Sequence, residues 1–462
     1  MKPEGRIRLR RISVLSSRII AGSAFAIAAW AKAVDPWGSV YKLNEYFTVW
    51  NLDVPHEITV TLAGTLSCVE FLIGILLLSG SLRRTAAILL TAMMAFMLPL
   101  TAWIYIADPV ADCGCFGDFL PISNGLTFLK NIILSLIAGY LLLYNRSVRG
   151  LFAMPVQWMV VAVSLAFPIY LNITGYNIQP LVDFRPYPTG SRIIDSESND
   201  ADDSILYIYE RDGKRSAFPL DALPDSTWTF IDVSGNAAKS ESIEVLDEFG
   251  DNILPDIIEE HRPQLLLVIS DPELHFLRRS HYVNRLYEYL SRYGVAMTGL
   301  IGADGETFEK WKSLTRPHFD VYPAEDTALK QLARGEAAVV YLREGRIVWK
   351  RTLQSLDARL PYGDSDASCA LDSITAVDNG FYHWISAGIY VLSLATIYLL
   401  SLSPKILNLF KPEKSQKNRN FAHILATITN NRIHYYNEKK HRCRQLENEH
   451  HPPGGRETCR RS

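Results

Sequence analysis

The sequence predicts an α-helical membrane protein of six spans, the last two flanking a soluble α/β domain. Three observations lead there. Apolar stretches long enough to cross a bilayer recur along the 462 residues, of which 48% are hydrophobic. Between 172 and 379 those runs stop, and short strand and helix patterns alternate instead. Basic residues cluster at every second connection between spans. The formal net charge of −2 provides no global field for nucleic acid, so none is expected as a partner. Six cysteines are too few for a disulfide-rich secreted scaffold.

A hydrocarbon core about 30 Å thick takes roughly 20 apolar helical residues to cross. Ile58–Ser79, Thr85–Ala107, Leu151–Leu171 and Phe381–Ser403 meet that requirement. Leu126–Tyr144 does too, with Lys130 near its start, where a lysine can snorkel to the interface. The first span, around Ile19–Trp30, is short and rich in small residues. Followed by Ala31-Lys32-Ala33, it also fits a cleavable signal peptide.

Arg6, Arg8, Arg10, Arg11 and Arg18, then Arg83/Arg84, Arg146/Arg149 and the Lys405–Lys417 segment all fall on one side of the membrane. Retention of basic loops inside makes that side the cytoplasm. The expected location is the cell inner membrane, multi-pass, with both termini cytoplasmic and residues 172–380 periplasmic. Loops 33–57 and 108–125 then face outward, the second without Lys or Arg.

The chain divides into a basic N-terminus (1–12), a membrane domain (13–146), a fifth span (151–171) and an extracytoplasmic β-rich segment (172–240). An α/β domain (241–360), a sixth span (381–403) and a basic tail (404–462) follow. In the β-rich segment, Ile205–Glu210 and Trp228–Val233 read as strands around the turn Asp212-Gly213. Further on, Gln264–Ser270 is a continuous apolar strand, His281–Tyr293 a helix and Val295–Ile301 a second strand. Gly305–Leu314 and Thr327–Arg334 read as helices, and Ala337–Leu342 with Ile347–Arg351 as a hairpin. Alternating strands and helices closed by a hairpin follow the order of a thioredoxin-like domain. In that fold the active cysteines follow the first central strand, where this chain has Asp271-Pro272-Glu273-Leu274-His275. Glu336-Ala337-Ala338 also lacks the proline that should precede the hairpin strand. Docking or binding is therefore the expected role of this domain.

Chemistry concentrates in Asp112-Cys113-Gly114-Cys115-Phe116-Gly117-Asp118, a polar loop between two apolar stretches. A Cys113–Cys115 disulfide would close a small ring with strained geometry, making the bond a ready oxidant. Gly114 tolerates the tight backbone. Asp112 and Asp118 should raise the thiol pKa values, whereas the start of the following helix, near Ser123-Asn124, should lower them. Alternatives are inert structural thiols, a bridge to Cys369, or a metal held with Asp112 or Asp118. A pair without a nearby histidine is a poor zinc signature.

Glu70 lies within the second span, where an ionisable group is costly and faces a partner or a cavity. A protonated packing contact and a proton- or quinone-linked role are both open to it. Cys68 is expected to be a buried small residue, too deep to meet the loop pair unless the loop re-enters the bundle. Cys443, Cys459, His441, His450 and His451 belong to the polar tail, with disorder as its default.

The first four spans resemble the DoxX/MauE superfamily of four-helix membrane proteins. The matching residues are Ala31-Lys32-Ala33-Val34-Asp35-Pro36, Glu70 within Val69-Glu70-Phe71-Leu72-Ile73-Gly74, and the Asp112–Asp118 loop. That loop is similar to the one in MauE-type members. The resemblance implies a DoxX-like four-helix bundle tied to extracytoplasmic disulfide handling. In the methylamine-utilisation branch it implies maturation of a disulfide-rich dehydrogenase subunit.

The expected activity is thiol–disulfide exchange by Cys113 and Cys115 with an extracytoplasmic client or thiol-redox protein. Glu70 stands on the path to an electron acceptor, with a membrane quinone as the cofactor considered. The alternative is a non-enzymatic, membrane-anchored binding scaffold with a structural cysteine pair. Transport through the bundle is disfavoured by the absence of paired intramembrane charges in the sequence reading.

Overall fold

The computed structural model describes residues 3–402 except 111, 121, 146–147, 149, 195–205, 212–213, 220–223, 225–227, 235–242, 247–248, 273–278, 364–365 and 375–379. Arg146, Arg149, the turn Asp212-Gly213, Glu273-Leu274-His275, the Lys405–Lys417 segment and the tail cysteines and histidines lie outside the described residues.

Six described helices are long and apolar enough to cross a membrane. They are α1 (Pro3–Val34), α3 (His56–Ser79), α4 (Arg83–Ala107), α5 (Asn124–Tyr144), α6 (Gln157–Asn177) and α12 (Gly380–Leu402), and α2 (Pro36–Val49) is a shorter helix after α1. The first span is thus not short. Its apolar helix runs from Gly5 to Val34, carrying the N-terminal arginines in its opening turns. α1 and α3 pack closely because both present small residues. A Cβ on Gly74 would stand 2.6 Å from the backbone nitrogen of Ala26, so only glycine permits this approach. Val14, Ala21, Phe25, Ile73, Leu76, Leu90, Leu134 and Leu141 form the core joining α1, α3, α4 and α5. Phe167 stacks on Tyr390 at 4.6 Å, and the Tyr390 hydroxyl lies 3.1 Å from that of Ser164, so α6 and α12 meet through a satisfied polar contact.

α2 replaces what the sequence reads as outward loop. Asp35 caps it by accepting a bond from the Gly38 nitrogen at 3.2 Å, and Pro36 occupies its first turn. The Trp37 ring stacks on that of Tyr176 at 4.7 Å and holds α2 against the end of α6.

Outside the bundle, β1 (Leu206–Arg211), β2 (Lys214–Pro219) and β3 (Thr229–Ser234) form an antiparallel sheet in the order β2-β1-β3. β2 is absent from the sequence reading. Next come a short helix α7 (Leu254–Ile257) and a five-stranded mixed sheet ordered β6-β5-β4-β7-β8. Its strands are β4 (Gln264–Ile269), β5 (Ala296–Gly302), β6 (Asp320–Ala324), β7 (Ala337–Arg343) and β8 (Arg346–Thr352). β4, β5 and β6 run parallel, whereas β7 is antiparallel to both of its neighbours.

β4 is buried on both faces, as a near-continuous apolar run predicts for a central strand. Leu265, Leu267 and Ile269 pack on α8 (Ser280–Arg292) and α9 (Gly305–Thr315). Leu266 and Val268 pack on α10 (Asp326–Leu332). A last short helix, α11 (Ala367–Asp372), precedes α12. This arrangement is consistent with the thioredoxin-like domain expected. β6 was missed because Asp320 and Pro323 break its apolar pattern.

Candidate functional site

The cysteine loop is built by local hydrogen bonds. α4 ends at Ala107, and Asn124, at the start of α5, donates to the Asp108 carboxylate at 2.8 Å and to the Val110 carbonyl at 3.1 Å, closing the loop at its base. Within it, the Gly114 nitrogen donates to Asp112 at 2.6 Å and the Gly117 nitrogen to the Gly114 carbonyl at 3.1 Å. Gly114 sits at φ +66°, in the left-handed region where a side chain is strained. A Cβ there would also lie 2.6 Å from Cγ of Lys42. This turn brings the two Sγ atoms within 2.7 Å of one another. The Tyr46 hydroxyl of α2 donates to the Cys113 carbonyl at 3.0 Å.

Glu70 meets a partner inside the bundle. Lys32 Nζ lies 2.9 and 2.8 Å from its two carboxylate oxygens, both side chains being buried. Paired intramembrane charges are therefore present, contrary to the expectation from sequence. The signal was present: a lysine inside an apolar helix, like Glu70, demands a partner.

Lys32, Glu70, Cys115, Lys130, Asn131 and Met94 line one cavity of about 40 Å³. That is room for a few water molecules. The loop therefore meets the buried charges of the bundle. Lys130 does not snorkel to the interface but points its ammonium over the Phe116 ring, 4.6 Å from the centroid. Cys68 is half-buried and is not among the lining residues.

The electrostatic setting separates the two sulfurs. Cys115 is lowered to about 6, first by the hydrogen bond from Cys113 and, against its burial, by Lys130 and Lys32. The shared hydrogen bond and burial push Cys113 up. The flanking carboxylates do not oppose this as strongly as the sequence suggested, because each is engaged by a cation. Lys42 is 3.6 Å from Asp112, and Arg334 pairs with Asp118. The expected openness of the pair is not met: Cys113 is 8% exposed and Cys115 is half-buried toward the cavity.

Residues 10–144 match the family model described as Methylamine utilisation protein MauE. This segment is similar to MauE-family proteins. A curated relative, Protein TlpB of Flavobacterium psychrophilum, is 25% identical over 212 residues. The match covers 44% of this chain and 56% of the relative, so this chain spans little more than half of that protein's length. Residues 204–235 match a domain of unknown function (DUF8463). No solved structure matches.

The membrane domain is joined to the α/β domain by a chain of charges. Arg334, between α10 and β7, reaches Asp35 at 2.7 Å and also pairs with Asp118 of the cysteine loop. Gln179 brackets its backbone, accepting from the Arg334 nitrogen at 3.2 Å and donating to its carbonyl at 2.7 Å. The Tyr41 hydroxyl lies 3.3 Å from the Gly335 carbonyl, and burial pushes that phenol up to about 12. Further out, Asp183 pairs with Arg185 at 2.6 Å and with Lys350. Burial alone would raise the Asp183 carboxyl, but Arg185 and Lys350 outweigh it and hold it at about 2. Sequence reasoning missed Arg334, Lys42 and Lys350, because each is defined by a partner far away along the chain.

Proposed function

We propose that this chain exchanges thiols and disulfides with proteins at the outer face of the cell inner membrane, both termini lying in the cytoplasm. The reading rests on one observation: two sulfurs lie 2.7 Å apart, and the Cys115 side chain lines a cavity with Lys32 and Lys130. The orientation is supported by Arg6, Arg8, Arg10 and Arg11 at the start of α1 and Arg83 and Arg84 at the start of α4, the helix ends opposite those that carry the cysteine loop and the outer domain.

In the reducing direction the Cys115 thiolate attacks a client disulfide. The client S–S bond breaks, a mixed disulfide forms on Cys115, and the departing client sulfur takes up a proton. Cys113 then loses its proton to solvent and attacks Sγ of Cys115. The loop disulfide forms as the second client thiolate leaves. Two electrons have moved from the loop pair to the client, and the reverse sequence oxidises a client dithiol. A second thiol-redox protein resets the pair.

Because Cys115 is the sulfur favoured as thiolate, Cys113→Ser is the variant expected to accumulate a mixed disulfide, visible as a slower band on a non-reducing gel. Cys115→Ser should accumulate far less. Repeated absence of an adduct from both variants would remove the exchange mechanism.

The burial of Cys113 favours a second reading, a membrane-anchored scaffold whose loop cysteines only staple the bundle. In that case the double Cys→Ser variant loses thermal stability yet still retains its partner.

A further inference from the structure

We infer that Arg334 of the outer domain is a positioning residue for the cysteine loop, holding it over the membrane cavity by clamping Asp118 against Asp35. The inference rests on the proposed role of the loop, but its geometry stands independently. The Arg334 side chain is 5% exposed and has carboxylates from two different elements around it. Asp35 caps α2, and its Oδ2 accepts from Arg334 Nε at 2.9 Å. Asp118 lies in the turn that follows Cys115, and the Arg334 guanidinium bridges it to Asp35.

A planar guanidinium presents a fixed fork of donors to both carboxylates, a geometry that the point charge of an ammonium reproduces only in part. Without it, two anions would be left beside one another at the base of the redox loop.

The neighbouring contacts act in the same direction. Phe119, next in the chain, sets its ring edge-on to Trp30 of α1 at 5.7 Å and to Phe184 of the outer segment at 5.1 Å. On the other side of the cysteines, Lys42 of α2 pairs with Asp112. The loop is thus gripped at both ends, and its only grip from the five-stranded domain is Arg334 among the described contacts. Ser270 and Asp271 follow the central strand of that domain where a thioredoxin-like fold would carry its cysteines.

The clamp is releasable on the loop side, since the Asp118 side chain is 47% exposed. Breaking it there buries no lone carboxylate and leaves Arg334 paired with Asp35.

The test is the rate at which a membrane-impermeant maleimide labels Cys113 and Cys115 in the reduced full-length chain in sealed right-side-out vesicles. Asp118→Asn should label about fivefold to tenfold faster than the parent, the range a charge-assisted but partly solvated pair supports. Arg334→Gln should do the same, and Arg334→Lys should fall between, because an ammonium restores the charge but not the fixed fork. A general packing role for Arg334 would give no acceleration with Asp118→Asn and no graded return with lysine. Equal labelling of parent and Asp118→Asn overturns the clamp, whether or not Arg334→Gln folds. Labelling reads access and not exchange. Faster labelling without any trapped adduct would therefore remove only the exchange reading, and a trapped adduct with unchanged labelling would remove only the clamp.

Discussion

Replacing Glu70 by Gln while Lys32 remains is expected to destabilise the membrane domain by about 3–5 kcal/mol, the cost of leaving a buried charge without its partner. Lys32 Nζ has both Glu70 oxygens within 2.9 Å. Water could solvate an orphaned ammonium only through a cavity of about 40 Å³. The double variant Lys32→Met/Glu70→Gln removes both charges and should recover most of that loss, because a neutral pair of similar volume carries no desolvation penalty. Thermal unfolding in lipid nanodiscs, followed by intrinsic fluorescence, distinguishes the three chains. A single Glu70→Gln variant as stable as the parent would show that the pair does not hold α1 to α3. The double variant also isolates chemistry from packing: with stability restored, loss of the Lys32 charge should still slow alkylation of Cys115. The pair further predicts a retained first helix, since cleavage after Ala33 would remove Lys32 from Glu70. Intact mass of the purified protein checks this directly.

The second large effect is on pH. Cys115 is lowered to about 6, chiefly by the Cys113 hydrogen bond and then by Lys130 and Lys32. Only the thiolate reacts, so alkylation of Cys115 should rise as pH increases through 6 and level off above about 7. An ordinary thiol, titrating near 8.5, would still be climbing there. Lys130→Met removes a positive charge that favours the thiolate. The midpoint must then move up, and the rate at pH 7 should fall. Stopped-flow labelling between pH 5 and 9 gives both midpoints. A parent profile that keeps rising to pH 9 would mean that the ammonium groups do not reach the sulfur.

What the sequence revealed depended on how local each signal was. Six spans, the cysteine loop and the central strand at Gln264–Ser270 are written in contiguous residues, and they were legible. The MauE resemblance was legible too, because its motifs are short runs, and the family match over 10–144 bears it out. Helix α2 was missed although its signal, Asp35 followed by Pro36, was present; its polar residues and two tryptophan-rich ends read as loop. The charges were harder. Glu70 announced that it needed a partner, but Lys32 lies 38 positions away and becomes its neighbour only when α1 packs on α3. Asp118 looked like an anion that would suppress the thiols. Its neutralising cation, Arg334, is 216 positions distant and belongs to another domain. The meeting of the loop with the buried charges was invisible for the same reason: it is set by packing and not by spacing.

The central claim is that the Cys113/Cys115 pair changes redox state as a unit in the membrane. Sequential alkylation with two mass-distinct reagents, before and after reduction, reads this on native membranes by mass spectrometry of the loop peptide. Two populations are expected, both sulfurs labelled first or both labelled only after reduction, with their ratio shifting when outward-facing dithiol or disulfide is supplied. A loop peptide that stays in one population under every such condition would contradict it.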